Sequence, residues 1–207
     1  MAPVPKIENP PPSGRRLGPD ARRAQLVGVG LALIKEMPFD EVTAEVVARA
    51  VGVSKGLVFH YFPTTRDLQV AILRAATAEL LVEIDVGADL PPDERLLVGL
   101  DAFVRYIEQQ PASYQAVVRR AGSDERLLEV FEDTRGAVVD IVAAALGLSE
   151  LPTGLRLVIR GWIAMVEECV LHWLDDKPVP REELVEFLRR AAVTMLPDAL
   201  RLGAAGA

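Results

Sequence analysis

Very little in this chain can do chemistry with a thiol or a metal. Its single cysteine, Cys169, excludes an internal disulfide, and only two histidines, His60 and His172, occur in 207 residues. Neither histidine has a second histidine or cysteine at i+4 to complete a metal pair on one helix face. The acidic doublets Glu167-Glu168, Asp175-Asp176 and Glu182-Glu183 are sequence neighbours. On a helix such side chains diverge by about 100°, too far to share a proton or a metal ion. Also missing are H-E-x-x-H, C-x-x-C, G-x-S-x-G and a P-loop. Gly28 and Gly30 form a G-x-G pair, but no strand precedes it and no third glycine follows in register, which excludes a dinucleotide fingerprint. Close helix packing is the expected reason for both glycines. No catalytic residue, metal or cofactor is expected, and no enzymatic activity.

Long apolar runs are absent as well: none approaches the roughly 20 residues that cross a bilayer. The first residues lack the charged-then-apolar order of a secretion signal, so a cytoplasmic protein with no membrane partner is expected. Aromatic residues make up only 5% of a chain that is 50% hydrophobic, which predicts an aliphatic core large enough to need no staples. Cys169 lies in an apolar helical pattern and is expected to be buried there. Net charge is −7, but it is not spread evenly. Residues 1–68 carry nine Lys and Arg against seven Asp and Glu, whereas residues 69–207 carry fourteen against twenty-three. A basic end joined to an acidic remainder points to a nucleic-acid-binding part attached to a part with another task.

What is present is concentrated between Thr43 and Leu68, TAEVVARAVGVSKGLVFHYFPTTRDL. Thr43 is placed to cap a short helix whose apolar positions Val46, Val47 and Ala50 face inward, with Ala48 small enough for a second helix to cross it. Gly52 ends that helix in a conformation with positive φ, and Val53 plugs the corner. Ser54 then caps a second helix running to about His60. Two crossing helices around a glycine turn form a helix-turn-helix unit, whose second helix can enter a major groove end-on.

Ala48, Gly52, Val53, Ser54, Gly56, Tyr61, Phe62 and Leu68 fall at fixed spacings that resemble the DNA-binding domain of TetR-type transcriptional regulators. That resemblance implies an all-α protein, with a three-helix reader joined to a helical domain for ligand binding and dimerisation. By the same resemblance, Ser54, Lys55, Gly56, Leu57 and His60 read or approach bases, while Thr43, Tyr61, Thr64 and Arg66 hold phosphates. Two residues depart from the family pattern: Phe59 stands where a tyrosine is usual and Thr65 where a lysine is usual. Arg66 is expected to supply the missing charge, and Thr64 to cap a helix whose first amides face a phosphate.

Three domains are expected. Residues 1–18, rich in proline, form a flexible arm, with Arg15 and Arg16 at its end as open candidates for DNA contact beside Arg22 and Arg23. Residues 19–66 form the helix-turn-helix domain, which opens on a helix from Pro19 to about Met37 with Leu26, Val27, Leu33 and Ile34 on its core face. Residues 67–207 are helical, with predicted helices over about 64–84, 92–110, 112–121, 124–147, 153–175 and 181–196. The helix over 153–175 is apolar on two stripes, Val158, Trp162, Met165, Cys169 and His172 on one, Leu155, Ile159, Ile163, Val166, Val170 and Leu174 on the other. It needs two partners. The resemblance implies that one of them is a second copy, through a four-helix interface with 181–196.

Phe103, Tyr106, Tyr114, Phe131, Trp162 and Met165 are the candidate ligand-binding residues. A domain that takes a small molecule is expected to enclose an apolar pocket, typically of about 300–1,000 Å³. The expected function is a homodimeric repressor that binds a palindromic double-stranded DNA operator and is released by a hydrophobic small-molecule inducer. The alternative is a helical protein-interaction module or a partner-controlled regulator with no small-molecule ligand.

Overall fold

The structure, a computed structural model, describes residues 17–87, 89–121, 124–148 and 151–199. Among these residues every regular element is helical: α1 (Pro19–Glu36), a 3₁₀ turn (Phe39–Glu41), α2 (Ala44–Val51), α3 (Lys55–Tyr61), α4 (Thr65–Ile84), α5 (Pro92–Glu108), α6 (Pro111–Ala121), α7 (Glu125–Ala145), α8 (Thr153–Asp176) and α9 (Arg181–Ala199). Each predicted helix is present, and the 3₁₀ turn was not anticipated. Arg15 and Arg16 lie outside the described residues.

Two compact units result, and they do not follow chain order. The first joins Met1–Ala78 to Gln110–Val130; the second joins Glu79–Gln109 to Phe131–Ala207. Hence α6 and the first turns of α7 belong with the reader. Ser113 of α6 shows why, because its buried hydroxyl lies 2.6 Å from the Ile34 carbonyl and 2.9 Å from that of Met37. Those carbonyls at the end of α1 have no intrahelical donor, and a serine from 76 or more residues away supplies one.

Inside the first unit Leu26, Leu33, Phe39, Val42, Val47, Val58, Leu68 and Ile72 are fully buried. The expected core face of α1 is present except that Val27 is half-buried. On α2 the inward positions are Ala44, Val47, Ala48 and Val51, while Val46 and Ala50 are only half-buried. Helix α1 meets α4 without a side chain of its own at Gly30: an added Cβ would sit 2.3 Å from Ile72 Cδ1 and 2.5 Å from Cγ1. Gly28 differs from the expectation, since it is exposed and a Cβ there would have nothing within 4 Å.

The second unit is organised on α8. Leu155, Ile159, Trp162, Ile163, Val166, Val170 and Trp173 are buried along it. Both indoles find acceptors, Trp162 Nε1 at Leu188 O of α9 (3.0 Å) and Trp173 Nε1 at Val179 O (2.8 Å). Val158 and Met165 on the other stripe are half-buried and His172 is exposed; Cys169 is half-buried too, not buried as expected. Arg135 of α7 ties α8 down by hydrogen-bonding Glu167 through Nε (2.9 Å) and Nη2 (2.6 Å). Leu80, Ile84 and Ala102 form a separate buried cluster.

Substituting Gly30→Ala is expected to destabilise the protein by about 1–3 kcal/mol, because Ile72 is enclosed and cannot yield. Ile72→Val in that background, which deletes Cδ1, should recover part of the loss. Gly28→Ala should stabilise by about 0.5–1 kcal/mol through helix propensity. Chemical denaturation of the three variants checks these signs.

Candidate nucleic-acid interface

Each turn of the reader is held by a named cap. Thr43 Oγ1 accepts from Val46 N at 3.3 Å to start α2, and Ser54 Oγ accepts from Leu57 N at 3.2 Å to start α3. Between them Gly52 has φ 77, a left-handed conformation that costs a side chain about 1 kcal/mol or more. The amide of Val53 closes the turn on Ala48 O at 2.9 Å. Val58 is buried completely, which turns Ser54, Lys55, Gly56 and His60 to the exposed side, with Leu57 and Tyr61 half-buried. His60 and Tyr61 meet edge to face at 5.1 Å. Thr43 is half-buried behind its cap.

The cations here are already partnered. Glu45 in the first turn of α2 offers Oε2 to Lys55 Nζ and Oε1 to Arg49 Nη2, each at 3.4 Å. Lys55 Nζ also lies 5.8 Å from the Phe59 ring centroid, the ring that stands where a tyrosine is usual in the family it resembles. Arg22 donates to Gln25 Oε1 at 2.6 Å, and the Arg23 guanidinium stacks 4.7 Å from the Phe62 ring.

The start of α4 carries the least anticipated geometry. Thr64 and Asp67 form a capping box: Asp67 Oδ2 accepts from Thr64 N (2.8 Å) and Thr64 Oγ1 (2.7 Å), and Asp67 N donates to Thr64 Oγ1 (3.1 Å). Thr64 thus caps α4 as expected, with its own polar groups engaged. Asp67 Oδ1 takes Arg126 Nη2 of α7 at 2.9 Å. In return Asp124 caps α7, its Oδ1 accepting from Arg126 N and Leu127 N at 3.1 Å, while its Oδ2 holds Arg66 Nη2 at 2.6 Å. Each aspartate caps its own helix with one oxygen and grips the other helix's arginine with the second. Arg66 also donates to Gln69 Oε1 at 3.3 Å, and buried Gln69 donates on to Val42 O at 3.2 Å. The guanidinium expected to face a phosphate therefore has a carboxylate partner inside the unit.

The ligand candidates have different surroundings. Phe103 and Tyr106 pack on the Leu80, Ile84 and Ala102 cluster, Tyr114 belongs to the first unit, and Phe131 lies beneath the Arg135 guanidinium at 5.8 Å. Met165 is half-buried. Trp162 lines an apolar cleft with Leu96, Val142, Leu146, Val158, Ile159, Ala192 and Met195, and the cleft holds about 10 Å³. That is roughly the room one water needs.

Sequence reasoning missed Asp67, Ser113, Gln69, Glu45, Asp124 and Arg126. A signal existed for Asp124, an acid just before a helix, and for Asp67, three residues after a threonine. Nothing local marked the others. Among the described residues no group of His, Cys, Asp and Glu could hold a metal ion, and no helix is long and apolar enough to cross a membrane.

Two family models match the chain. Residues 26–72 match "Bacterial regulatory proteins, tetR family", and residues 92–195 match "Tetracyclin repressor-like, C-terminal domain". The chain is 23% identical over 181 residues to the HTH-type transcriptional activator FasR of Mycolicibacterium smegmatis, covering 84% of this chain and 82% of that protein. A TetR-family transcriptional regulator from Streptomyces coelicolor has a similar structure, with a TM-score of 0.79 at 29% identity over 91% of this chain and 86% of that one. The fold is shared with the fatty acid degradation regulator FadR of Bacillus halodurans, with a TM-score of 0.63 at 16% identity over 86% of this chain and 96% of that one.

The Thr64 hydrogen bond first, and then Arg126, hold the Asp67 carboxyl below its usual range, against a smaller opposing effect of burial. A carboxyl depressed in the folded state contributes stability that is complete at neutral pH. It is lost as pH falls from about 4 through the folded value. Asp67→Asn keeps a cap oxygen but loses the charge, so the variant should melt lower at pH 7 and converge on the wild type in acid. Thermal melts between pH 7 and pH 3 test this, and parallel curves would exclude the role assigned to Asp67.

Proposed function

The chain belongs to the TetR family of transcriptional regulators, and from that premise we propose that it acts as a homodimeric repressor. In this reading it grips a two-fold operator and releases it when a hydrophobic small molecule binds the second unit. One observation carries the reading above others. The left-handed Gly52 turn and the two caps set α3 across α2 with Ser54, Lys55 and Gly56 outward, the edge that meets bases when a recognition helix enters the major groove by its N-terminus. Leu57 and His60 flank that edge. The Thr43 and Tyr61 hydroxyls and the first-turn amides of α4 are the proposed phosphate ligands. Thr64 serves them by ordering those amides, and Arg66 reaches a phosphate only by leaving Asp124.

Reading two half-sites requires two copies whose α3 helices lie about 34–36 Å apart. The outer face of α8 offers the surface for pairing: Leu157, Gly161, Ala164 and Glu168 are exposed there at helical spacing. At Gly161 an added Cβ would meet nothing within the chain. On α9, Phe187 and Val193 are exposed too. Large apolar side chains beside small ones suit a close helix-on-helix dimer.

For the inducer, the Trp162 cleft has an entirely apolar lining. It favours an aliphatic or acyl-like guest over a charged one, and it must widen to admit it. Such a guest shifts operator affinity only through its preference for one of two states. The likeness to FasR, which is named as an activator, favours a second reading in which the same dimer assists transcription. The position of the operator relative to the promoter decides between the two.

Three measurements test the proposal. In gel shifts with DNA from upstream of its own coding region, the protein should give a sequence-selective complex that weakens with salt; a shift unaffected by competitor DNA would defeat the reading. Ala164→Glu should yield a folded monomer by sedimentation and lower operator affinity at least tenfold; an intact dimer would move the interface elsewhere. Medium-chain fatty acids or their thioesters should change the fluorescence of Trp162 in a Trp173→Phe background and raise the melting temperature; no response in either would leave the partner-controlled alternative.

A further inference from the structure

The operator-binding reading leaves one group on the reader without a task. Glu45 is an acid on a surface that has to approach phosphates, and its side chain is 60% exposed. Both of its oxygens are in use, one for Lys55 at the first position of α3 and one for Arg49 in the last turn of α2. These cations are 54% and 49% exposed, so nucleic acid can reach all three groups. Around this patch the protein presents two positive charges and one negative charge of its own.

We propose that Glu45 is a specificity-determining residue, which acts as a built-in counterion for Lys55 and Arg49 and discourages binding to non-operator DNA. The proposal rests on the operator-binding reading and deepens it. Affinity for random sequence comes almost entirely from phosphates, and each cation that neutralises a phosphate releases condensed counterions. A lysine whose charge Glu45 already balances neutralises no phosphate, so to serve there Lys55 must give up that partner, and the carboxylate is left facing the negative backbone. A base-reading pose makes no such demand. An ammonium has three N–H donors, so Lys55 can keep one on Glu45 and offer the others to guanine O6 and N7. Glu45 on one side and the Phe59 ring at 5.8 Å on the other hold the lysine ready for that pose. The pair thus costs the non-operator complex more than the operator complex, although an exposed pair of this kind adds little to folding stability.

Salt-dependent Kd values for Glu45→Gln and Glu45→Ala, on operator and on scrambled DNA of equal length, test the proposal. Both variants should bind scrambled DNA about tenfold more tightly as dimers. Their slope of log K against log salt should steepen by about 2, one added phosphate per protomer. Operator affinity should change less than about threefold, so that the specificity ratio falls. Adding Lys55→Gln to Glu45→Gln should abolish most of the gain on scrambled DNA. Equal tightening on both DNAs, or no change on scrambled DNA, would overturn the role of Glu45. Wild-type protein that binds neither DNA in a salt-dependent way would overturn the operator-binding reading itself. Thermal melts within about 2 °C of wild type are expected for both single variants, because the pair is exposed.

Discussion

Asp67 and Asp124 each divide two oxygens between two helices, and the arrangement of the first unit depends on that division. An exposed ion pair alone contributes little, because water competes for both partners and long side chains lose freedom in forming it. Here each carboxylate is already fixed by the amides or hydroxyl that it caps, so much of that ordering cost is met locally before the arginine arrives. The result is a reciprocal clasp, Arg66 to Asp124 at 2.6 Å and Arg126 to Asp67 at 2.9 Å. It fixes the starts of α4 and α7 against each other. Both helices run on beyond the first unit, so their origins are set in the same compact body that holds the reader.

Much of this was legible locally. Thr43, Gly52 and Ser54 announced the two short helices because caps and a positive-φ glycine act over four or five residues. Illegible were the pairings set by distance along the chain. Ser113 satisfies carbonyls at Ile34 and Met37, and Gln69 reaches Val42, yet each reads in sequence as an ordinary polar residue. Gly28 and Gly30 looked alike, and only the approach of Ile72 separates a glycine required by packing from one in open space. The surroundings of the aromatic residues were illegible for a related reason. A half-buried ring reads the same whether it borders a cavity or packs on Leu80 and Ile84, as Phe103 and Tyr106 do.

Charge on the reader is more restrained than composition suggests. Its basic groups at Arg22, Arg23, Arg49, Lys55 and Arg66 each have an acidic, amide or aromatic partner within the same unit. A surface organised in this way exchanges partners when it meets a polyanion. Long-range attraction is correspondingly weaker than the bare count of arginines implies, and more of the discrimination falls to short-range fit.

The apolar cleft beside Trp162 holds about 10 Å³ and has no polar lining residue. A space of that size is closed to any guest larger than water until α5, α7, α8 or α9 yields. Filling therefore waits on opening. Under such a constraint the rate of occupation levels off at the rate of opening, however much guest is supplied. For a guest of the proposed kind, the tempo of occupation would belong to the packing of these helices rather than to the amount supplied.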